Sequence, residues 1–143
     1  MVSLFFIGAA LVAATVLLHL AGFALILQAF SNRRGALPVR PWPIAWLLVR
    51  MTWLLLLFHV AEISLWALFY LWWGCLPDAG TAFYFSGTTY ATIGYGDVVL
   101  PQAWRMFGPV EGLTGILMCG LSTGLFVAVI SKIFSSRAEQ KIA

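Results

Sequence analysis

Charged residues are scarce in this chain, and their scarcity excludes most classes of soluble protein. Eight Lys or Arg and five Asp or Glu make up 9% of the 143 residues, while 62% of the residues are hydrophobic. The mean hydropathy is +0.97. A soluble domain carries about 25% charged and about 45–50% apolar residues. The composition therefore predicts an integral membrane protein.

Several chemical patterns are also missing. The sequence shows no catalytic triad, no phosphate-binding loop and no metal-ligand spacing, so we expect neither enzymatic activity nor a cofactor. There are two cysteines. We expect Cys75 just outside the membrane and Cys119 within a helix, a placement that does not favour an intrachain disulfide.

The basic residues are distributed in a way that indicates a membrane topology rather than a nucleic-acid surface. Cytoplasmic segments next to membrane helices carry an excess of Lys and Arg. Apart from Arg105, the basic residues form two groups, one after the first hydrophobic run and one at the end of the chain. We therefore expect a multi-pass protein of the cell membrane, with its N-terminus outside and its C-terminus in the cytoplasm. The groups are Arg33, Arg34, Arg40 and Arg50, and Lys132, Arg137 and Lys141.

Three hydrophobic segments are each longer than the ~20 residues that a helix needs to cross a ~30 Å hydrocarbon core. They are residues 1–30, 44–73 and 107–134. Residues 31–43 would form a basic cytoplasmic loop, and residues 135–143 a short cytoplasmic tail. The expected fold class is an all-α membrane protein with three transmembrane helices.

A short segment between the second and third helices predicts a re-entrant loop. Asp78 is a candidate N-cap, and residues 81–91 are long enough for a helix of roughly 16 Å, which cannot span the bilayer. Irregular backbone survives at membrane depth only where protein buries it or where it lines a wet cavity. The C-terminal end of such a half-helix carries partial negative charge, which favours a cation near residues 92–97.

The loop itself reads Thr92-Ile93-Gly94-Tyr95-Gly96-Asp97. Glycines at alternate positions adopt positive φ without a Cβ clash. Alternating left- and right-handed backbone turns successive carbonyl oxygens to one side, where they can replace the water shell of a cation. The motif therefore predicts a cation-binding backbone.

Residues 83–97 and the helix that follows resemble the pore module of two-helix potassium channels of bacterial type. The resemblance covers residues 44–134, and the helix at 1–30 has no counterpart in that pattern. It implies a homotetramer in the lipid bilayer that conducts K⁺ passively through four copies of the loop, with K⁺ as the permeant ion.

The resemblance also assigns roles to individual residues. The carbonyls of Thr92, Ile93, Gly94 and Tyr95, with the Thr92 hydroxyl, would bind K⁺, and Gly94 and Gly96 would supply the unusual backbone angles. Asp97 would lie at the outer mouth. The remaining assignments are a hydrogen bond from Tyr84 to Asp97, packing of the Tyr95 ring against the aromatic positions Tyr84 and Phe85, and a gating hinge at Gly115.

Two positions depart from the family pattern. Ala91 stands where a threonine often precedes the loop, so a hydroxyl below the innermost ion site is lost. Thr88 stands behind the loop where some bacterial members have a glutamate that pairs with the aspartate. Inactivation behaviour therefore does not carry over from those members.

Polar residues inside the hydrophobic segments have two interpretations. His59 and Glu62 share a helix face, and His19 falls at a similar depth. They could form a proton-sensitive cluster that gates the pore, or an interhelical contact that docks the first helix onto the second. The second interpretation is the simpler one.

Glu111 lies one turn before Gly115, close behind the loop. We expect it to act as a structural brace. Its expected partner is Arg105 or a hydroxyl of the half-helix, such as that of Thr88 or Thr89.

Other functions stay open at this point. The chain could be a weakly selective cation channel, a subunit of an ion-coupled potassium transporter, or a non-conducting membrane protein whose first helix binds a partner. No voltage-sensor pattern of repeated arginines is visible, so the sequence indicates no gating stimulus.

Overall fold

The computed structural model describes residues 2–31 and 41–142, and within them it is built of helices. The elements are α1 (Val2–Ser31), α2 (Pro41–Trp72), α3 (Ala79–Tyr90), a 3₁₀ turn (Gln102–Trp104) and α4 (Phe107–Ile142). Most of the predicted basic loop, including Arg33, Arg34 and Arg40, lies outside the described residues. The predicted all-α fold class is confirmed.

Three helices are long and apolar enough to cross a membrane, as predicted. The qualifying spans are Val2–Gln28, Trp42–Trp72 and Gln102–Ser135. α2 begins three residues before its predicted start, because Pro41 is well suited to a first helical turn. α4 continues to Ile142, so the segment predicted as a tail is helical over residues 135–142.

The short helix α3 has the predicted N-cap, Asp78. Asp78 has extended backbone, and its carboxylate accepts hydrogen bonds from the Thr81 amide at 2.9 Å and the Thr81 hydroxyl at 2.7 Å. Asp78 therefore satisfies one of the free N–H groups at the helix start. The helix begins at Ala79, two residues earlier than predicted, and ends at Tyr90.

Two hydrophobic clusters hold the helices together, one at each end of the bundle. The first is aromatic: Phe69 stacks on Phe107 with ring centroids 5.3 Å apart, and Tyr70 meets Phe85 edge-on at the same distance. It fixes α3 and the start of α4 against α2. The second joins α1, the N-terminal half of α2 and the C-terminal half of α4, and consists of Ile26, Leu47, Met51, Leu55, Val129 and Ile133.

The two cysteines are not joined, in line with the expectation that no intrachain disulfide forms. Both Cys75 and Cys119 are free thiols, the first buried and the second exposed. Burial raises the pKa of the Cys75 thiol.

Candidate ion-conducting site

The backbone turns sharply where α3 ends, and the Thr88 carbonyl organises the turn. This carbonyl accepts hydrogen bonds from the amides of Ile93 at 2.8 Å and Gly94 at 3.1 Å. The Thr88 hydroxyl bonds back into its own helix, at 3.0 Å from the Tyr84 carbonyl. Thr88 therefore supports the loop through its main chain, and the sequence pattern of side chains gave no sign of this.

The loop has left-handed backbone at every second residue. The φ angles are +60° at Thr92, +54° at Gly94 and +78° at Gly96. A Cβ built on Gly94 or Gly96 would meet no atom within 4 Å, so conformation rather than space makes glycine suitable there. The sequence indicated the two glycines but not Thr92, the one non-glycine residue with positive φ in the described part of the chain.

Two side chains of the loop, those of Ile93 and Tyr95, are largely exposed. Ile93 is 54% exposed and Tyr95 is 69% exposed in the single chain. Tyr95 borders a groove of about 420 Å³ between the loop and α3, which is also lined by Phe85, Thr89 and Arg105. One chain thus supplies a single wall that leaves both the loop and the groove uncovered.

The predicted hydrogen bond between Tyr84 and Asp97 is present. The Tyr84 hydroxyl donates to Asp97 Oδ2 at 2.7 Å, and Asp97 Oδ1 accepts from the Val98 amide at 3.1 Å. The hydrogen bond from Tyr84 holds the pKa of Asp97 below its usual range. The bond joins the end of the loop to the middle of α3.

Glu111 is buried and bonds a hydroxyl of α3, as predicted, but that hydroxyl belongs to Ser86 rather than to Thr88 or Thr89. Its carboxylate accepts from the Tyr70 hydroxyl at 2.7 Å and from the Ser86 hydroxyl, and thereby ties α4 to α2 and α3. Ser86 takes this place because it lies on the α3 face that is packed inside the bundle. Arg105 bonds the Leu100 carbonyl at 3.2 Å instead.

Gly115 lies where α4 passes the end of α3 at very short range. A Cβ on Gly115 would overlap the Tyr90 carbonyl, and α4 is an unbroken helix through this position. The structure therefore gives Gly115 a packing role. Its predicted role as a gating hinge stays a prediction.

Five polar side chains meet behind the loop, and we call them the polar cluster: His19, His59, Glu62, Tyr90 and Ser122. His19 Nδ1 lies 2.7 Å from Glu62 Oε1, and His59 Nδ1 lies 3.3 Å from Glu62 Oε2. Tyr90 donates to Glu62 and lies 3.0 Å from His59 Nδ1. The imidazole Nε2 atoms of His59 and His19 lie 3.1 and 3.3 Å from Ser122 Oγ.

The polar cluster includes the predicted docking contact between α1 and α2, and it is larger than predicted. The sequence pointed to His19, His59 and Glu62, but it gave no signal for Tyr90 or Ser122, which come from α3 and α4. A second contact docks α1, since the Trp66 indole donates to Thr15 Oγ1 at 3.0 Å.

The fold also brings together three residues of types that bind metal ions, although the sequence shows no metal-ligand spacing. The donor atoms of His19, His59 and Glu62 lie within 4.8 Å of one another.

Two membrane-spanning helices that enclose a capped half-helix and a left-handed loop define a pore-loop membrane protein. Residues 45–132 match the family model described as ion channel, the two-transmembrane-helix pore module, and the chain belongs to this family. No curated protein and no solved structure matches the chain. The chain is therefore a multi-pass membrane protein of an ion channel family, which points to transport rather than enzymatic catalysis.

Proposed function

We propose that the chain is one protomer of a homotetrameric, potassium-selective channel that conducts K⁺ passively. The observation that carries the proposal is the alternating backbone of the loop, with positive φ at Thr92, Gly94 and Gly96. This alternation presents successive carbonyl oxygens to one side, the arrangement that replaces the hydration shell of K⁺ in potassium filters. The carbonyls of Thr92, Ile93, Gly94 and Tyr95 are the proposed ion ligands.

The helix that precedes the loop supports a cation at this place. α3 ends at Tyr90, directly before the loop, and a helix C-terminus carries about half a negative charge. The bonds of the Thr88 carbonyl to Ile93 and Gly94 hold the loop at that end. The helix therefore contributes both position and electrostatic attraction.

Fourfold assembly is proposed because the chain carries a single copy of the loop and potassium filters are built from four such loops. One wall cannot surround an ion, and the exposed Ile93 and Tyr95 side chains leave it uncovered. Rotational symmetry closes such walls into a ring. Native mass spectrometry of the purified protein is expected to give four chains, and a monomer or dimer would contradict this part of the proposal.

The distribution of basic residues supports an orientation with both basic groups in the cytoplasm. Leu47 and Met51 of α2 pack with Val129 and Ile133 of α4, so Arg50 and Lys132 lie at the same end of the bundle. We propose that this end faces the cytoplasm and that the outer mouth at Asp97 faces outside.

Flux measurements on protein in liposomes test the proposal. Protein reconstituted with a K⁺ gradient is expected to pass K⁺ in large excess over Na⁺ and to be blocked by Ba²⁺. Equal flux of both ions would indicate a weakly selective cation channel and contradict the proposal. A folded tetramer with no flux would do so as well, and would favour a membrane interaction protein.

A matched pair of glycine variants connects the flux to the loop. Gly94→Ala places a Cβ at a φ of +54°, where an L-residue costs about 1–2 kcal/mol, and is expected to lower K⁺ flux at least about tenfold. Gly74→Ala carries the same strain at a φ of +66° in equally open space outside the loop. It is expected to retain the flux, and equal losses in both variants would show that the effect is only one of folding.

A further inference from the structure

We propose that His19, His59 and Glu62 form a binding site for a divalent transition-metal ion of the Zn²⁺ class. Two imidazoles and one carboxylate are a donor set that Zn²⁺ uses, with the fourth position left to water or another ligand. The three donor atoms come from two helices and lie within 4.8 Å of one another. Both Glu62 and His19 are buried, at 0% and 1% exposure.

The spacing of the donor atoms fits an ion. Donors that bind a tetrahedral Zn²⁺ at about 2.0–2.2 Å lie about 3.3–3.5 Å apart. His59 Nδ1 is already 3.3 Å from Glu62 Oε2. His19 Nδ1 is at hydrogen-bond distance, 2.7 Å from Glu62 Oε1, and would move out by about half an ångström as the ion replaces the shared proton.

Ser122 is placed to act as the outer partner of both imidazoles. Metal coordination through Nδ1 leaves each neutral ring with its proton on Nε2. The Ser122 oxygen has two lone pairs and lies 3.1 and 3.3 Å from the Nε2 atoms of His59 and His19. It can therefore accept a hydrogen bond from each imidazole. Such outer hydrogen bonds fix the tautomer and orientation of ligating histidines.

The site borders an open groove. This groove of about 310 Å³ lies between α2 and α4, and its lining combines the apolar Leu55, Leu56 and Phe126 with His59, Ser122, Thr52 and Thr123. The His59 side chain is 17% exposed. The site is therefore open on the side of the His59 imidazole.

Direct binding of Co²⁺ and Zn²⁺ tests the proposal. The protein is purified without a histidine tag and with Cys75→Ser and Cys119→Ser, so that no thiol competes for the metal. We expect one Co²⁺ per chain, with the visible absorption of tetrahedral coordination, and displacement by Zn²⁺. The proposal would be overturned if Co²⁺ did not bind stoichiometrically, or if it bound weakly with the spectrum of octahedral coordination.

Variants identify the ligands. His59→Gln and Glu62→Gln are expected to lower Zn²⁺ affinity on the order of 100-fold or more, and Ser122→Ala by about tenfold. Thr123→Ala is the matched control, because Thr123 borders the same groove but bonds the Cys119 carbonyl of its own helix at 2.9 Å. Equal affinities in all four variants would overturn the assignment.

X-ray absorption at the zinc edge identifies the ligands directly, in protein that carries no substitution at His19, His59 or Glu62. Multiple scattering from two imidazoles is expected, and its absence would overturn the site even if the ligand variants fail to fold.

A consequence for conduction rests on the proposed function. Tyr90, which donates to Glu62, precedes Thr92 by two residues, so an ion at Glu62 would act on the start of the loop. Zn²⁺ is expected to change K⁺ flux at least several-fold in the cysteine-free protein but not in its Glu62→Gln form. Binding without any flux refutes the proposed function alone, and flux without binding refutes the metal site alone.

Discussion

Gly115 allows two helices to approach more closely than any side chain would permit. A Cβ at this position would overlap the carbonyl of Tyr90. Tyr90 is the last residue of α3, which precedes the loop. Gly115→Ala is therefore expected to destabilise the protein by about 1–3 kcal/mol through overpacking. Thermal unfolding of the purified protein measures this.

Gly120→Ala on the same helix is the matched control for Gly115→Ala. A Cβ at Gly120 would meet nothing within 4 Å in the protomer, so alanine is expected to leave stability equal or raise it by about 0.5–1 kcal/mol. A Gly115→Ala protein with unchanged melting temperature but altered opening would contradict the packing role and support a hinge.

The Tyr84 hydroxyl lowers the pKa of Asp97. Because the Tyr84 hydroxyl lowers the pKa of Asp97 below its ordinary value of 3.8, the stabilisation from this bond is complete above that ordinary value. It is lost only as pH falls through the lower pKa of the folded state. Tyr84→Phe is expected to raise the pKa of Asp97 toward 3.8, as measured by an NMR titration of the aspartate carboxyls.

The second aspartate is an internal control for that titration. The Asp78 carboxylate accepts its hydrogen bonds from Thr81 rather than from Tyr84, so its pKa is expected to stay the same in Tyr84→Phe. An Asp97 titration identical in both proteins would show that the hydrogen bond does not set its ionisation.

At the scale of elements, the N-cap Asp78 stabilises the start of α3. Asp78→Ala removes the N-cap and is expected to cost about 0.5–2 kcal/mol, while Asp78→Asn keeps an oxygen acceptor and is expected to restore most of it. Thermal unfolding of the two variants measures the difference. Equal melting temperatures for Ala and Asn would contradict a capping role.

The contact between α2, α3 and α4 at Glu111 can be measured by a double-mutant cycle. Glu111→Ala leaves the buried Tyr70 hydroxyl without its acceptor, which costs about 1–3 kcal/mol. The same change in a Tyr70→Phe background is expected to cost less, with a coupling energy of about 0.5–3 kcal/mol. Ser64, whose hydroxyl bonds its own helix at Val60, gives the control cycle, in which no coupling is expected.

At the scale of the whole molecule, α1 is part of the packed bundle rather than a separate anchor. It supplies His19 to Glu62 and Thr15 to Trp66, and both partners on α2 are buried. Deletion of residues 1–38 would leave a carboxylate and an indole N–H without these partners. We expect loss of the folded assembly, measured by size-exclusion chromatography and native mass spectrometry.

A single substitution tests one contact of α1 while the helix stays in place. Thr15→Val keeps the shape of the side chain but removes the acceptor of the Trp66 indole, and is expected to cost about 1–3 kcal/mol. A stable, assembled deletion protein with altered conduction would show that α1 is a regulator rather than part of the scaffold.

The sequence by itself determined the features that depend on local chemistry. Hydrophobic length predicted the three spanning helices, the short capped segment at Asp78 predicted α3, and Gly94 and Gly96 predicted the left-handed loop. The bond from Tyr84 to Asp97 came from the family resemblance. In each case the prediction rests on residues within one continuous segment or on a specific motif.

Only the tertiary structure decided which helices share polar side chains. It selected Ser86, rather than Thr88 or Thr89, as the α3 hydroxyl that bonds Glu111, and it supplied Tyr70 rather than Arg105 as the second partner. It also added Tyr90 and Ser122 to the polar cluster. The physical reason is that a buried polar group takes whatever partner the packing brings within hydrogen-bond distance, and helix packing joins residues 25 to 103 positions apart. No periodicity within one helix records that choice.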